Sequence, residues 1–125
     1  MSPVAAIHHV SLLVSDTRRA LAFYHGILGL DIDQSRPDMD FPGAWLRAGT
    51  QQIHLIEMPG RVRAATPAVH GGRDWHVALS VSNLEELEAA LTECGVGYTK
   101  SRSGRRALFC RDPDGNAIEL MEVRS

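Results

Sequence analysis

Four residues of types that grip divalent cations stand at related places in the chain: His9, His54, His76 and Glu119. Imidazole nitrogen and carboxylate oxygen suit Zn, Fe, Mn, Co or Ni alike, and affinity order alone does not choose among them. A set without thiolate is not a structural zinc knot. Four protein donors leave open positions on a five- or six-coordinate ion. Two neighbouring oxygens of a small-molecule substrate can fill them, and developing negative charge on oxygen is then stabilised. Such chemistry also needs a base, and Glu119 or His54 can serve, with Tyr24 and Tyr98 as weaker candidates.

The matched placement of these residues comes from internal repetition. The segment His9-Val-Ser-Leu-Leu-Val-Ser-Asp16 returns as His76-Val-Ala-Leu-Ser-Val-Ser-Asn83, and Ile53-His-Leu-Ile-Glu57 returns as Ile118-Glu-Leu-Met-Glu122. His9 is thus equivalent to His76, and His54 to Glu119. Two copies are too few for a solenoid, so the pattern is a duplicated supersecondary unit. Each copy opens with a strand, at 7–14 and 75–81, and continues into a helix. Ser82 and Glu85 read as a capping box for the second helix, whose apolar stripe Leu84, Leu87, Ala90, Leu91 and Cys94 stops at Gly95. In the first copy Ser15 or Asp16 caps, Ala20, Leu21, Tyr24 and Leu28 form the stripe, and Gly29 ends it. Extended runs follow at 31–35, 44–48 and 51–58, then at 97–101, 106–111 and 117–123, with Asp112-Pro-Asp-Gly-Asn116 as a turn. The expected fold is α+β: two paired β-α-β-β-β modules forming a curved sheet around a metal-binding cup. One domain, 1–125, holds both repeats, at about 5–58 and 73–124, with residues 58–72 as the linker.

Strand alternation separates two jobs. One parity holds Val10, Leu12, Val14, Ile53, Leu55 and their counterparts Val77, Leu79, Val81, Ile118, Leu120, an apolar face that must pack under helices. The other parity holds His9, Ser11, Gln52, His54, His76, Ala78, Ser80, Ala117, Glu119 and Met121. Buried polar groups without partners cost a few kcal/mol each, so this second face is expected to be an open cup. His8 shares parity with Val10 and is expected at the edge of the helix side, His25 at a helix end, and His70 in the linker, where it could cover the cup. Trp45, Phe109 and Met121 are candidates to line it.

Charge and composition narrow the partners. Net charge is −2 over 125 residues, so no overall positive field invites nucleic acid. No apolar run approaches the roughly 18 residues of a membrane span, and residues 1–7 do not read as a signal peptide. Cys94 and Cys110 are too few for a disulfide scaffold and fit a reducing cytoplasm. The run Lys100-Ser-Arg-Ser-Gly-Arg-Arg106, with Arg111 beyond, joins a strand of the cup. Arg102, Arg105, Arg106 and Arg111 are therefore candidates, with Phe109, for binding an anionic substrate, because guanidinium forks fit carboxylate or phosphate.

These residues resemble the vicinal oxygen chelate superfamily of glyoxalases, dioxygenases and bleomycin-resistance proteins. The resemblance is carried by residues 7–16, by Phe23-Tyr24 to Leu28-Gly-Leu30, by Trp75-His-Val-Ala-Leu79 and by Asp112-Pro-Asp-Gly-Asn-Ala-Ile-Glu-Leu120. It implies paired β-α-β-β-β modules around a divalent metal, with His9 and His76 as strand ligands and Glu119 as the last-strand carboxylate. His54 falls where many isomerase and lyase members carry Glu or Gln, a departure that points away from lactoylglutathione lyase activity itself. The expected function is a metal-dependent, glyoxalase-like lyase or isomerase acting on a small oxygenated, anionic substrate. The alternatives are an Fe(II) extradiol-type dioxygenase, a non-catalytic drug- or metabolite-binding resistance protein, and, more narrowly, a thiol transferase. The resemblance leaves two arrangements open, the ligands coming from one chain or from two chains of a swapped homodimer, and a homodimer is expected.

Overall fold

Aliphatic side chains on alternate positions of four strands need a cover, and two helical segments supply it. The computed structural model describes residues 2–60 and 69–123. Strand β1 (His9–Val14) leads into helix α1 (Thr17–Leu21), which passes into a π-helical segment, Ala22–Ile27. Strands β2 (Asp31–Ile32), β3 (Gly43–Ala48) and β4 (Gln51–Glu57) complete the first module. A 3-10 turn, Gly71–Arg73, precedes β5 (His76–Val81), helix α2 (Leu84–Glu93) and strands β6 (Tyr98–Lys100), β7 (Ala107–Arg111) and β8 (Ala117–Glu122). The chain is α+β, as expected, and its strands form two sheets with the same order, β1-β4-β3-β2 and β5-β8-β7-β6. In both, the first strand lies parallel to the last and the other neighbours run antiparallel. Of the expected linker, residues 61–68 lie outside the described residues.

The register confirms the division of faces. Val10 pairs with Ile53, and Val77 with Ile118, on the helix side. Val14, Ile53, Leu55, Ile118 and Leu120 are buried in one core with Ala20, Phe23, Tyr24 and Leu91 from the helices. Each fully buried aliphatic side chain contributes about 1.5–3 kcal/mol before entropy is subtracted. Val10, Leu12, Val77, Leu79 and Val81 are only partly buried, because β1 and β5 are the outermost strands of their sheets.

The helix starts repeat as the strands do. Asp16 caps α1 by accepting from the Arg19 amide. In α2 the cap is Asn83, which accepts from the Glu86 amide, one residue later than the expected Ser82–Glu85 box. The last strand of each module adds a second cap. Glu57 Oε1 accepts from the Thr17 amide at 2.7 Å and Glu122 Oε1 from the Leu84 amide at 2.9 Å. Both helical segments end at glycines with positive φ, 77° at Gly29 and 72° at Gly95, a conformation that side chains bearing Cβ resist. The π-helical stretch, marked by the Leu28 amide reaching the Phe23 carbonyl at 3.0 Å, brings Phe23 into the core beside Tyr24, a position the 3.6-residue stripe did not include.

The two modules are tied together by buried polar contacts. Tyr24 is wholly buried and donates its hydroxyl proton to Asp112 Oδ2 at 2.6 Å. Burial, then the nearby Asp112 carboxylate, push the Tyr24 phenol well above its ordinary range. Asp112 also accepts from the amides of Asp114 and Asn116 and from the Asn116 side chain, and Asn116 Nδ2 lies 3.0 Å from the Leu13 carbonyl. Tyr98, in the helix-side core, donates to Glu88 Oε2. These contacts make both tyrosines structural, which removes them as candidate bases. Among the described residues no helix is long and apolar enough to cross a membrane.

Candidate metal centre

Ladder register puts the chemistry-bearing side chains on the helix-free face of each sheet. In the second module Ala78 is opposite Glu119, and Glu119 is opposite Phe109 on β7. His76 stands at the start of β5. Its Nδ1 is 2.9 Å from the Asp74 carbonyl oxygen, which only accepts, so Nδ1 carries a ring proton and Nε2 is the nitrogen available to a cation. That Nε2 faces Glu119 Oε1 at 3.2 Å. A ring nitrogen and a carboxylate oxygen at this separation share a proton or a cation. Two donors about 2.1 Å from one ion and at right angles around it stand roughly 3 Å apart, so the pair fits a divalent cation as it stands. A ligating imidazole whose other nitrogen donates to a backbone carbonyl is the usual arrangement at such sites. Glu119 is 3% exposed, and its second oxygen, Oε2, receives Arg105 at 3.3 Å.

In the first module Ser11 is opposite His54, and His54 is opposite Trp45 on β3. Trp45 therefore occupies the place that Phe109 occupies in the second module. The His54 ring lies between two others, stacked on Trp45 at 4.3 Å with 6° between planes and on His9 at 3.9 Å with 15°. A metal binds imidazole in the ring plane, and two nearly parallel planes so separated share no point near both rings. One of the two must turn for both to reach a single ion. His54 is held: its Nε2 is 2.9 Å from Gln52 Oε1, and Gln52 Nε2 donates to Asp33 Oδ2 at 2.7 Å. His9 is exposed, so it is the ring free to turn. Burial foremost, then the neighbouring imidazoles of His9 and His8, push His54 below the ordinary histidine range, favouring its neutral form. Asp33 is lowered chiefly by hydrogen bonds from the Ser35 hydroxyl and amide.

Within one chain the four candidate residues do not all meet. Each half gathers its own pair, His9 with His54 and His76 with Glu119, but among the described residues no three His, Cys, Asp or Glu side chains group closely enough to hold an ion. The reason is the sheet topology, which leaves β1 and β5 at the edges of separate sheets. The basic run also divides. Arg105 reaches Glu119, with its guanidinium also 4.0 Å from Met121 Sδ, and Arg102 is exposed. Arg106 turns to the helix side, where it bonds Glu122 at 2.6 Å, and Arg111 bonds Asp74 and the Gly115 carbonyl. Phe109 packs edge-on to both His76 and His70. His70 is half-buried, its Nδ1 2.6 Å from Thr99 Oγ1. His8 does not lie on the helix side; it precedes β1, exposed, with Nδ1 2.9 Å from that of His9. Asp33 had no signal in spacing or parity, since a short strand and a tight turn bring it to Gln52.

The duplicated order and face pattern match a known family over most of the length. The profile of the Glyoxalase/Bleomycin resistance protein/Dioxygenase superfamily matches residues 6–120. The chain belongs to this superfamily. Among curated relatives of this glyoxalase-superfamily chain, "Glyoxylase I 4" of Arabidopsis thaliana is 29% identical over 98% of this chain and 73% of its own length. A lactoylglutathione lyase of Salmonella typhimurium is 28% identical over 93% and 91%. Among solved structures, the fosfomycin resistance protein FosX of Listeria monocytogenes superposes with a TM-score of 0.77, covering 97% of this chain and 94% of that one at 18% identity. At that identity the likeness speaks for the fold. The FosX structure is a complex with Mn(II) and 1S,2S-dihydroxypropylphosphonic acid.

Proposed function

We propose that this glyoxalase-superfamily protein is a homodimeric, divalent-metal-dependent lyase or isomerase acting on a small, oxygen-rich, anionic molecule. The observation that carries the reading is His76 Nε2 facing Glu119 Oε1 at 3.2 Å, with Arg105 on the other carboxylate oxygen. Enzymatic relatives and the Mn(II) complex of a protein with the same fold support it. His76 and Glu119 of one copy, with His9 and His54 of another, would hold the ion. When bound, the ion supplies Lewis-acid stabilisation of substrate oxygens. Arg105 offers guanidinium donors to an anionic group beside it, and Phe109 provides an apolar wall. His54, whose neutral form its surroundings favour, can accept a proton, as can the Glu119 carboxylate. Free thiols at Cys94 and Cys110 suit a reducing cytoplasm.

Support for the two-chain arrangement comes from the separated pairs and from the edges. β1 and β5 are terminal strands of their sheets, and apolar side chains flank them in the open, Ile7 at 70% exposure and Trp75 at 90%. Such edges and side chains suit burial against a second copy. The test is complementation. H9A and E119Q are each expected to lose the ion when pure. A heterodimer of the two would rebuild one intact site and one doubly defective site, and so recover about half the wild-type metal content. Elemental analysis of the purified heterodimer reads this. No recovery overturns the shared site, and full metal retention in pure E119Q overturns Glu119 as a ligand.

A further inference from the structure

The first module carries a hydrogen-bond chain that has no counterpart in the second, where Ala117 takes the place of Gln52. Its direction follows from the donors available. Asp33 accepts from the Ser35 amide and hydroxyl, and these bonds favour the ionised, acceptor-only carboxylate. The group of Gln52 that meets Asp33 Oδ2 must therefore be its NH2, at 2.7 Å. The Gln52 carbonyl oxygen then points at His54 Nε2, 2.9 Å away, and can only accept. The ring plane is set by Trp45, stacked within 6°.

We propose that Asp33 and Gln52 are positioning residues that lock His54 in its Nε2–H tautomer and present Nδ1 as its one available lone pair. This rests on the reading of His54 as part of a metal site, and it says which atom would face the ion or take the proton. Without the relay a neutral imidazole exchanges its proton between the two nitrogens. The lone pair would then spend part of its time turned toward Gln52 and away from the site. Partners of this kind are worth about 10–100-fold in metal affinity.

The tautomer can be read in the metal-free protein by two-bond proton–nitrogen correlation NMR, assigned with His54→Gln. The wild type is expected to show a protonated Nε2 at His54. Q52L should give a mixture of tautomers and weaken Mn(II) or Zn binding about 10–100-fold in competition titrations. D33N is the sharper variant. Its carboxamide can donate, so the Gln52 amide can reverse and offer NH2 to His54 Nε2, which moves the ring proton to Nδ1. Circular dichroism and melting curves identify any variant that fails to fold. A wild-type Nδ1–H form, or a tautomer that neither Q52L nor D33N alters in a folded protein, overturns the proposal. Absence of metal binding in the wild type would instead sink the function proposed above and leave the tautomer result standing.

Discussion

At the scale of single residues, position on a ladder decides what a side chain does more than its type. Arg105 and Arg106 are neighbours of identical chemistry just before β7, yet one reaches Glu119 and the other Glu122 on the helix side, two residues on opposite faces of β8. R105A is therefore expected to weaken binding of a small carboxylate or phosphonate to the Mn(II)-loaded protein about tenfold, the scale of one charge-assisted hydrogen bond. R106A should leave that affinity unchanged. Isothermal titration calorimetry on both variants checks the contrast, and equal losses would place both guanidinium groups in the anion site. The histidines follow the same rule. His25 donates Nδ1–H to the Leu30 carbonyl at a helix end, while His76 turns the same atom to Asp74 and so frees Nε2.

At the scale of elements, the duplicated unit is stabilised by caps supplied from a distance. Glu57 and Glu122 end the last strands of their modules and close the first turns of α1 and α2. A carboxylate there satisfies an orphan amide and meets the positive end of the helix dipole. E57A is expected to cost about 1 kcal/mol of stability, measured by urea unfolding, with the slope unchanged. E122A should cost more than E57A, because Glu122 also holds Arg106. The shift of the α2 cap from Ser82 to Asn83 is a one-residue matter of which side chain reaches the third amide.

At the scale of the whole molecule, the two modules share one core, crossed by the Tyr24–Asp112 bond. Y24F removes a hydrogen bond to a charged acceptor and is expected to cost about 1.5–3 kcal/mol at neutral pH, read by chemical denaturation. The pH dependence has a definite sign. The folded phenol titrates above its unfolded value, so its contribution is present below pH ~10 and is lost as pH rises toward the folded pKa. The wild type should therefore lose stability on the alkaline side more steeply than Y24F in melting curves. Parallel alkaline limbs would show that the phenol is not the group responsible.

The repeat, the division of strand faces, the glycine stops and the four matched candidate donors were legible in the chain itself. They depend on local periodicity: alternate residues of a strand fall on opposite faces whatever surrounds them. Which of those four side chains meet was not legible. Whether the eight strands close into one sheet or remain two four-stranded sheets with open edges depends on contacts between β1 and β5, and the edge positions carry no periodic signal for it. In the same way Asp33 reaches Gln52, and Tyr24 reaches Asp112, across sequence gaps bridged only by packing. Local alternation chose the donors and the face they point from. The docking of distant strands decided that one chain holds His9 with His54 and His76 with Glu119 as separate pairs.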